Sequence, residues 1–192
     1  STGAHGGEDH LFWDGSPLKY ALLRFENLFD TNGGPIPAGA TITSAVLEYV
    51  ADDNGATADV HVVTHDWTDT VEYTSFGATP GAQAGEDYDG SSIAQASGAA
   101  PGGARTEHAV GVTAGVAAWS ADPSTNHGLI IVPNGNSGAG IRSSEYAVSA
   151  DRPKLTVTYL ANTCVVDTEC DDMSACTTDS CVGGVCANVA IG

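Results

Sequence analysis

The sequence predicts an all-β protein: a jelly-roll-like antiparallel β-sandwich followed by a small disulfide-rich C-terminal tail. Three observations predict it. Short runs of β-branched and aromatic residues recur between Gly, Pro and Asn punctuation. Two runs alternate cleanly, with Ala21, Leu23 and Phe25 on one face of their strand and Leu155, Val157 and Tyr159 on one face of theirs. All five cysteines (Cys164, Cys170, Cys176, Cys181 and Cys186) come after a cysteine-free stretch that ends at Thr163. The division expected is a sandwich over 1–161 and a cysteine-rich tail over 162–192.

Strands are expected near Asp9–Trp13, Lys19–Glu26, Ile42–Val50, Val60–His65, Val71–Thr74, Thr106–Val112, Gly128–Val132, Ile141–Tyr146 and Lys154–Leu160. One short helix is expected from Thr113, as N-cap, through Ala114–Trp119, with Val116 and Trp119 spaced to bury together. Between Gly77 and Ala104 the chain is rich in Gly, Ala, Ser and Pro, with Tyr88 and Ile93 as its large anchors. That stretch reads as a long surface loop.

Charge excludes several functions. Acidic residues number 24 against 6 basic ones, a net charge of -18. Such a surface repels nucleic acid and anionic lipid, so no nucleic-acid partner is expected. No apolar run approaches the roughly 18 residues of a membrane span. No signal peptide precedes Ser1, so a processed product is expected. Acidity, few lysines and the cysteine tail together point to an extracellular or cell-surface protein of bacterial type.

Catalytic patterns are absent. There is no His-Glu-x-x-His helix, no Gly-x-Ser-x-Gly elbow and no phosphate loop before a lysine, so the chain is expected not to be an enzyme. Gly135–Gly140 joins two expected strands and reads as a turn. His61 and His65 share a strand face but lie about 13 Å apart, too far to clasp one ion. Excess hard oxygen ligands favour a structural calcium ion. Asp167, Asp171, Asp172 and Asp179 of the tail are its candidate ligands, beside Glu169, Asp9, Asp14, Asp52 and Asp53. No EF-hand spacing occurs, and solvated acidity is the competing reading. Phe12, Trp13 and Tyr88, with Tyr73 and Tyr146, are candidates for stacking on sugar rings, whereas Trp67, Trp119 and Tyr159 read as core.

The order of several pieces points to a family. Tyr20-Ala-Leu-Leu-Arg-Phe-Glu26, Ile36-Pro-Ala-Gly-Ala-Thr-Ile-Thr-Ser-Ala-Val-Leu47, Val60-His-Val-Val-Thr-His-Asp-Trp67, Val112-Thr-Ala-Gly-Val-Ala-Ala-Trp119, Asn126-His-Gly-Leu-Ile-Ile131, Ser143-Ser-Glu-Tyr-Ala147 and Arg152-Pro-Lys-Leu-Thr-Val-Thr-Tyr159 together resemble the DNRLRE-type domain. That domain is a secreted bacterial and archaeal β-sandwich related to carbohydrate-binding module family 96. The resemblance covers roughly Gly6–Tyr159, and the tail resembles a cysteine-rich repeat of bacterial surface proteins. It implies polysaccharide binding in some members, acidic polymers among them. A surface this negative binds an acidic glycan poorly without calcium bridges or a local basic spot. The family also implies an extra strand ahead of the positions matching Gly6, Gly7 and Leu11. This chain starts too late to include it, so an unfilled edge or groove is expected.

At the C-terminus, Val185, Ala187, Val189 and Ile191 fall at period 2, placing apolar side chains on one face of an extended segment. A sandwich lacking its first strand accepts such a segment by β-augmentation. Burying Val189 and Ile191 contributes roughly 1.5–3 kcal/mol each before ordering costs. Donor and acceptor are different surfaces, so the contact propagates head-to-tail. The expected function is therefore a non-enzymatic structural subunit that polymerises with itself into an extracellular fibre. A carbohydrate-binding or adhesion module is the alternative. The odd cysteine joins or rigidifies the contact, and a tail whose last strand pairs within its own module is the competing picture.

Overall fold

The computed structural model describes residues 6–160, 164–171 and 177–190. Ile191, Asp172 and Cys176 lie outside the described residues. Among the described residues, twelve strands and one α-helix follow in order: β1 (His10–Gly15), β2 (Leu18–Lys19), β3 (Ala21–Leu23), β4 (Thr41–Asp53), β5 (Ala58–Val62), β6 (Ala94–Ala96), β7 (Thr106–Gly111), α1 (Thr113–Ala121), β8 (Leu129–Pro133), β9 (Ala139–Arg142), β10 (Lys154–Leu160), β11 (Thr177–Val182) and β12 (Val185–Ala190).

Two antiparallel sheets make the sandwich. In the six-stranded sheet the long β4 pairs with β10, β7 and β9, and β9 leads on to β1 and β2. Because Ala51 pairs with both Thr106 of β7 and Ile141 of β9, those strands flank opposite edges of β4. The four-stranded sheet has the order β3-β8-β5-β6. Alternation decides which side chains meet between the layers. Ala21 and Leu23 are buried there and Phe25 packs against them, while Leu155, Val157 and Tyr159 cover the same core from β10. Trp13, Phe29, Leu47, Val60, Leu129, Ile131, Ile141, Val116 and Trp119 are fully buried around them.

Several expectations are corrected. The run Lys19–Glu26 is broken into β2 and β3 after a cis Ser16–Pro17 peptide. Val71–Thr74 forms turns instead of a strand, and Val71 packs beneath a loop. Within Gly77–Ala104, Ala82, Tyr88, Ala96 and Ala100 are buried, and β6 pairs with β5, so this stretch is only in part a surface loop. Thr113 does not cap α1. Val112 is the cap residue, and the Thr113 hydroxyl accepts the Ala45 amide at 3.0 Å, tying the helix to β4.

A second apolar cluster lies on the outer face of the four-stranded sheet. Ile130, Val63, Phe76, Ala82 and Tyr88 form it, with Leu22, Trp67 and Val71 at its margin. The segment 63–88 thus folds over that sheet as a cover.

The tail is a separate two-stranded antiparallel sheet of β11 and β12. Gly183 and Gly184, at φ 63° and 86°, make the two-residue turn between Val182 and Val185. Both turn positions need positive φ, which glycine adopts without strain. Disulfides Cys164–Cys181 and Cys170–Cys186 staple this hairpin to the segment before it. Among the described residues the tail contributes to no hydrophobic core cluster, so cross-links hold it. Disulfides are characteristic of oxidising compartments outside the cytoplasm. Among the described residues no helix is long and apolar enough to cross a membrane.

Candidate functional site: an open strand edge and a free apolar hairpin face

Strand β1 has β9 along one edge over His10–Trp13, and β2 meets its other edge only at Asp14 and Gly15. Strand β3 pairs with β8 and, among the described residues, with nothing on its far side. A groove of about 890 Å³ opens along these two incomplete edges. It reaches β3 from both faces. Leu23, Phe25 and Leu11 line it from the core side, and Leu22 and Ile130 line it from the outer side beneath Trp67, Val71 and Phe76. An alternating strand wedged here would find apolar contacts for both of its faces.

The groove rim carries both signs of charge. Lys19 lies 5.3 Å from the centroid of the Phe12 ring and makes no ion pair among the described residues. Arg24 pairs with Asp66 and with Glu26 at 3.2 Å, and its guanidinium lies over the Trp67 ring. Trp67 is only half-buried, and its indole N–H donates to the His127 carbonyl at 2.7 Å.

The tail offers the complementary shape. On the hairpin, cross-strand partners share a face, so Val182 with Val185, Ser180 with Ala187, and Thr178 with Val189 lie together. The opposite face carries Cys181 and Cys186, and with them both disulfides. Val182, Val185 and Val189 are 64%, 40% and 62% exposed. Three valines on one face of a hairpin stapled from its other face are, among the described residues, an unpartnered apolar surface.

An ionic cluster supports the groove from the β1 side. Arg142 of β9 donates to Asp52 at 2.8 Å and pairs with Asp151, which also takes Arg105 at 2.6 Å. His10 contacts Asp9 at 2.8 Å and Asp52 at 3.1 Å, and Arg142 stacks over Tyr146. Burial raises the Asp52 pKa, but hydrogen bonds from Arg142 and His10 outweigh it and hold the carboxyl below its ordinary value. Arg105 does the same for Asp151, chiefly through its hydrogen bond. Burial lowers the His10 pKa, yet its bonds to Asp9 and Asp52 win and raise it above 6.5.

The signs set a pH window. Depressed carboxylates stabilise the fold above the ordinary value of 3.8, and that contribution is lost as pH falls through their folded values. A raised histidine stabilises below 6.5, and that contribution disappears as pH rises through its folded value. The melting temperature is therefore expected to peak between the two limits. His10→Gln should flatten the alkaline limb of a melting-temperature profile, while the acid limb is reduced only by the His10 share of Asp52 and persists through Arg142 and Arg105. An unchanged alkaline limb would show that His10 does not supply it.

The other residues singled out from sequence fall as follows. Trp13 and Tyr88 are buried, at 0% and 7% exposed, and cannot stack on a sugar. Trp13 instead donates its indole N–H to the Ala56 carbonyl at 3.0 Å. Phe12, the neighbour of Trp13 on the opposite face of β1, is half-buried and lines the groove, as does the 40%-exposed Tyr73. His61 is buried and bonds the Asp89 carbonyl, while His65 bonds Asp87, so each has its own partner. In the tail, Asp167 accepts the Cys181 amide at 2.7 Å and Glu169 accepts the Val165 amide at 2.6 Å. Asp167, Asp171 and Asp179 form no three-ligand cluster among the described residues, whereas the sulfurs of Cys164, Cys170 and Cys186 do. Sequence reasoning missed Val182, because the hairpin partner strand β11 has no apolar alternation to announce it.

No protein-family model matches the chain, and no curated protein matches it.

Proposed function

We propose that the chain is a non-enzymatic extracellular structural subunit that assembles head-to-tail, the C-terminal hairpin of one copy docking in the groove of the next. The observation that carries this reading is the β3 edge, open to the groove from both faces, in the same chain as a free apolar hairpin face. The outer edge of β12 supplies main-chain hydrogen bonds to that edge, and Val182, Val185 and Val189 supply the apolar contact. Full burial of each valine contributes on the order of 1.5 kcal/mol. Charge does not drive the pairing. The groove lining carries Glu8, Glu26, Asp69 and Glu72 against Lys19 and Arg24, and the tail from Ala161 onward has acids and no Lys or Arg. The contact therefore rests on the apolar face and the main chain. The expectation of a lone donated strand is corrected, since β12 pairs with β11 within its own module as in the competing picture, and the proposed contact is therefore docking of the whole hairpin.

Size exclusion and electron microscopy of the full chain test the reading. Polymers of the 19.4 kDa chain are expected, and they should fall apart to monomers when residues 185–192 are deleted, or when Val182, Val185 and Val189 are all changed to Asp. A wild-type chain that stays monodisperse at that mass sinks it. The second reading, a carbohydrate-binding module, is favoured by Phe12 and Tyr73 facing the same groove. Glycan binding that survives loss of the hairpin and disappears in Phe12→Ala would support it instead.

A further inference from the structure

We propose that the four cysteines of the two tail disulfides are also a binding site for a thiophilic divalent metal ion, zinc foremost, which the reduced chain takes up as a tetrahedral tetrathiolate. The two disulfides are not spread along the tail. The sulfur of Cys164 lies within 4.8 Å of both sulfurs of the other bond, Cys170–Cys186, and Cys181 is bonded to Cys164. A zinc ion with Zn–S bonds of about 2.3 Å needs sulfurs about 3.8 Å apart. That spacing lies between a disulfide bond and the separations found here. The four sulfurs therefore reach it by side-chain rotation, with the bonded Cα pairs staying near 5.7 Å and 5.1 Å.

The backbone is suited to the task. Cys181 and Cys186 are directly opposed across the hairpin beside the Gly183–Gly184 turn, on the same face, so two ligands come from one rigid element. Cys164 and Cys170 come from the preceding segment, which is tied to the turn by the Cys164 amide on the Gly184 carbonyl at 3.1 Å. Both are buried, which keeps water from the site. The Asp167 carboxylate holds the Cys181 amide, fixing that ligand's backbone. The physical need is plain. A tail without a core unfolds once its cross-links open, and a metal ion offers the same closure in a reducing environment.

Atoms and electrons balance with a dithiol as reductant. Each disulfide accepts two electrons and two protons from one dithiol, which leaves as its cyclic disulfide, and four thiols result. Zinc then displaces four protons and leaves a centre of net charge -2, so uptake strengthens as pH rises. The proposal does not depend on the assembly reading.

The test uses the full chain, reduced with excess dithiol, desalted without oxygen and titrated with Co2+ and then Zn2+. One cobalt per chain is expected, with the intense ligand-field and sulfur charge-transfer bands of tetrahedral thiolate coordination, abolished by equimolar zinc. Cys176→Ser should keep the spectrum, and Cys170→Ala or Cys186→Ala should weaken binding more than about 10-fold. Far-ultraviolet circular dichroism confirms that the sandwich of each variant is folded. The weak bands of oxygen coordination, no bands at all, or a Cys176→Ser variant that binds as poorly as Cys186→Ala would each overturn the site.

Discussion

Replacing Trp13 by alanine is expected to destabilise the sandwich by about 3–5 kcal/mol. The side chain is completely buried between the sheets, so its removal opens a cavity. It also strips the Ala56 carbonyl of the indole N–H that it accepts at 3.0 Å. Domains of this size are stable by only about 5–15 kcal/mol, so the variant should sit close to unfolding at room temperature. Urea denaturation followed by circular dichroism measures the loss. The companion substitution sharpens the test. Phe12→Ala, one residue earlier and on the other face of β1, should cost far less, because Phe12 is only half-buried at the groove. Equal unfolding midpoints for the two variants would show that the wrong face of β1 has been placed inside.

Removing both disulfides by Cys170→Ala and Cys181→Ala is expected to unfold the tail and leave the sandwich untouched. The bonds span sequence separations of 16 and 17 residues. A loop of that size contributes about 3 kcal/mol through the unfolded state. Few compensating contacts exist, since Val182, Val185 and Val189 face away from the staples and stay exposed. Proteolysis reads the outcome. Trypsin is blind to a tail without Lys or Arg, so a protease that cuts beside valine is needed. The first lost bond should raise its cutting rate about 100-fold, and the urea midpoint of the sandwich should not move. Unchanged protection of the tail, or a sandwich that melts with it, would contradict the independence of the two parts. Lost polymerisation in the same variant would follow from the assembly reading.

Most strands were legible because their signal is local. Period-2 alternation in Ala21–Phe25 and Leu155–Tyr159 marks a half-buried strand whatever its partner, and both runs pack on the core. The helix was legible from Val116 and Trp119, although its start was not. The Thr113 hydroxyl is engaged by β4, 68 residues away in sequence, and that long-range bond removes it from capping. The failures are of one kind. Val71–Thr74 has strand composition but no edge to pair with, so it closes as turns under the loop cover. In the 77–104 stretch, small residues that read as loop filler turn out to be buried spacers, Ala96 and Ala100 among them.

The candidate site was half visible. An apolar alternation at Val185, Ala187 and Val189 could be read directly. The sequence left open whether β12 has a partner within its own module, and it did not reveal that Val182 joins its face across the turn. Phe12 and Trp13 were equal candidates for solvent, since adjacent strand residues point to opposite faces and both are aromatic.

What the sequence determined by itself is the class of fold, the acidic surface and the need to staple a coreless tail, because these follow from local pattern and composition. Tertiary structure alone decided which sulfurs join, which aromatic faces the core, and how Asp52, Arg142 and Asp151 meet from β4, β9 and the turn before β10. It also decided that, among the described residues, β3 keeps an open edge. Each of these depends on which distant segments pair, and chain closure over tens of residues is settled by the whole packed core, not by any one stretch of residues.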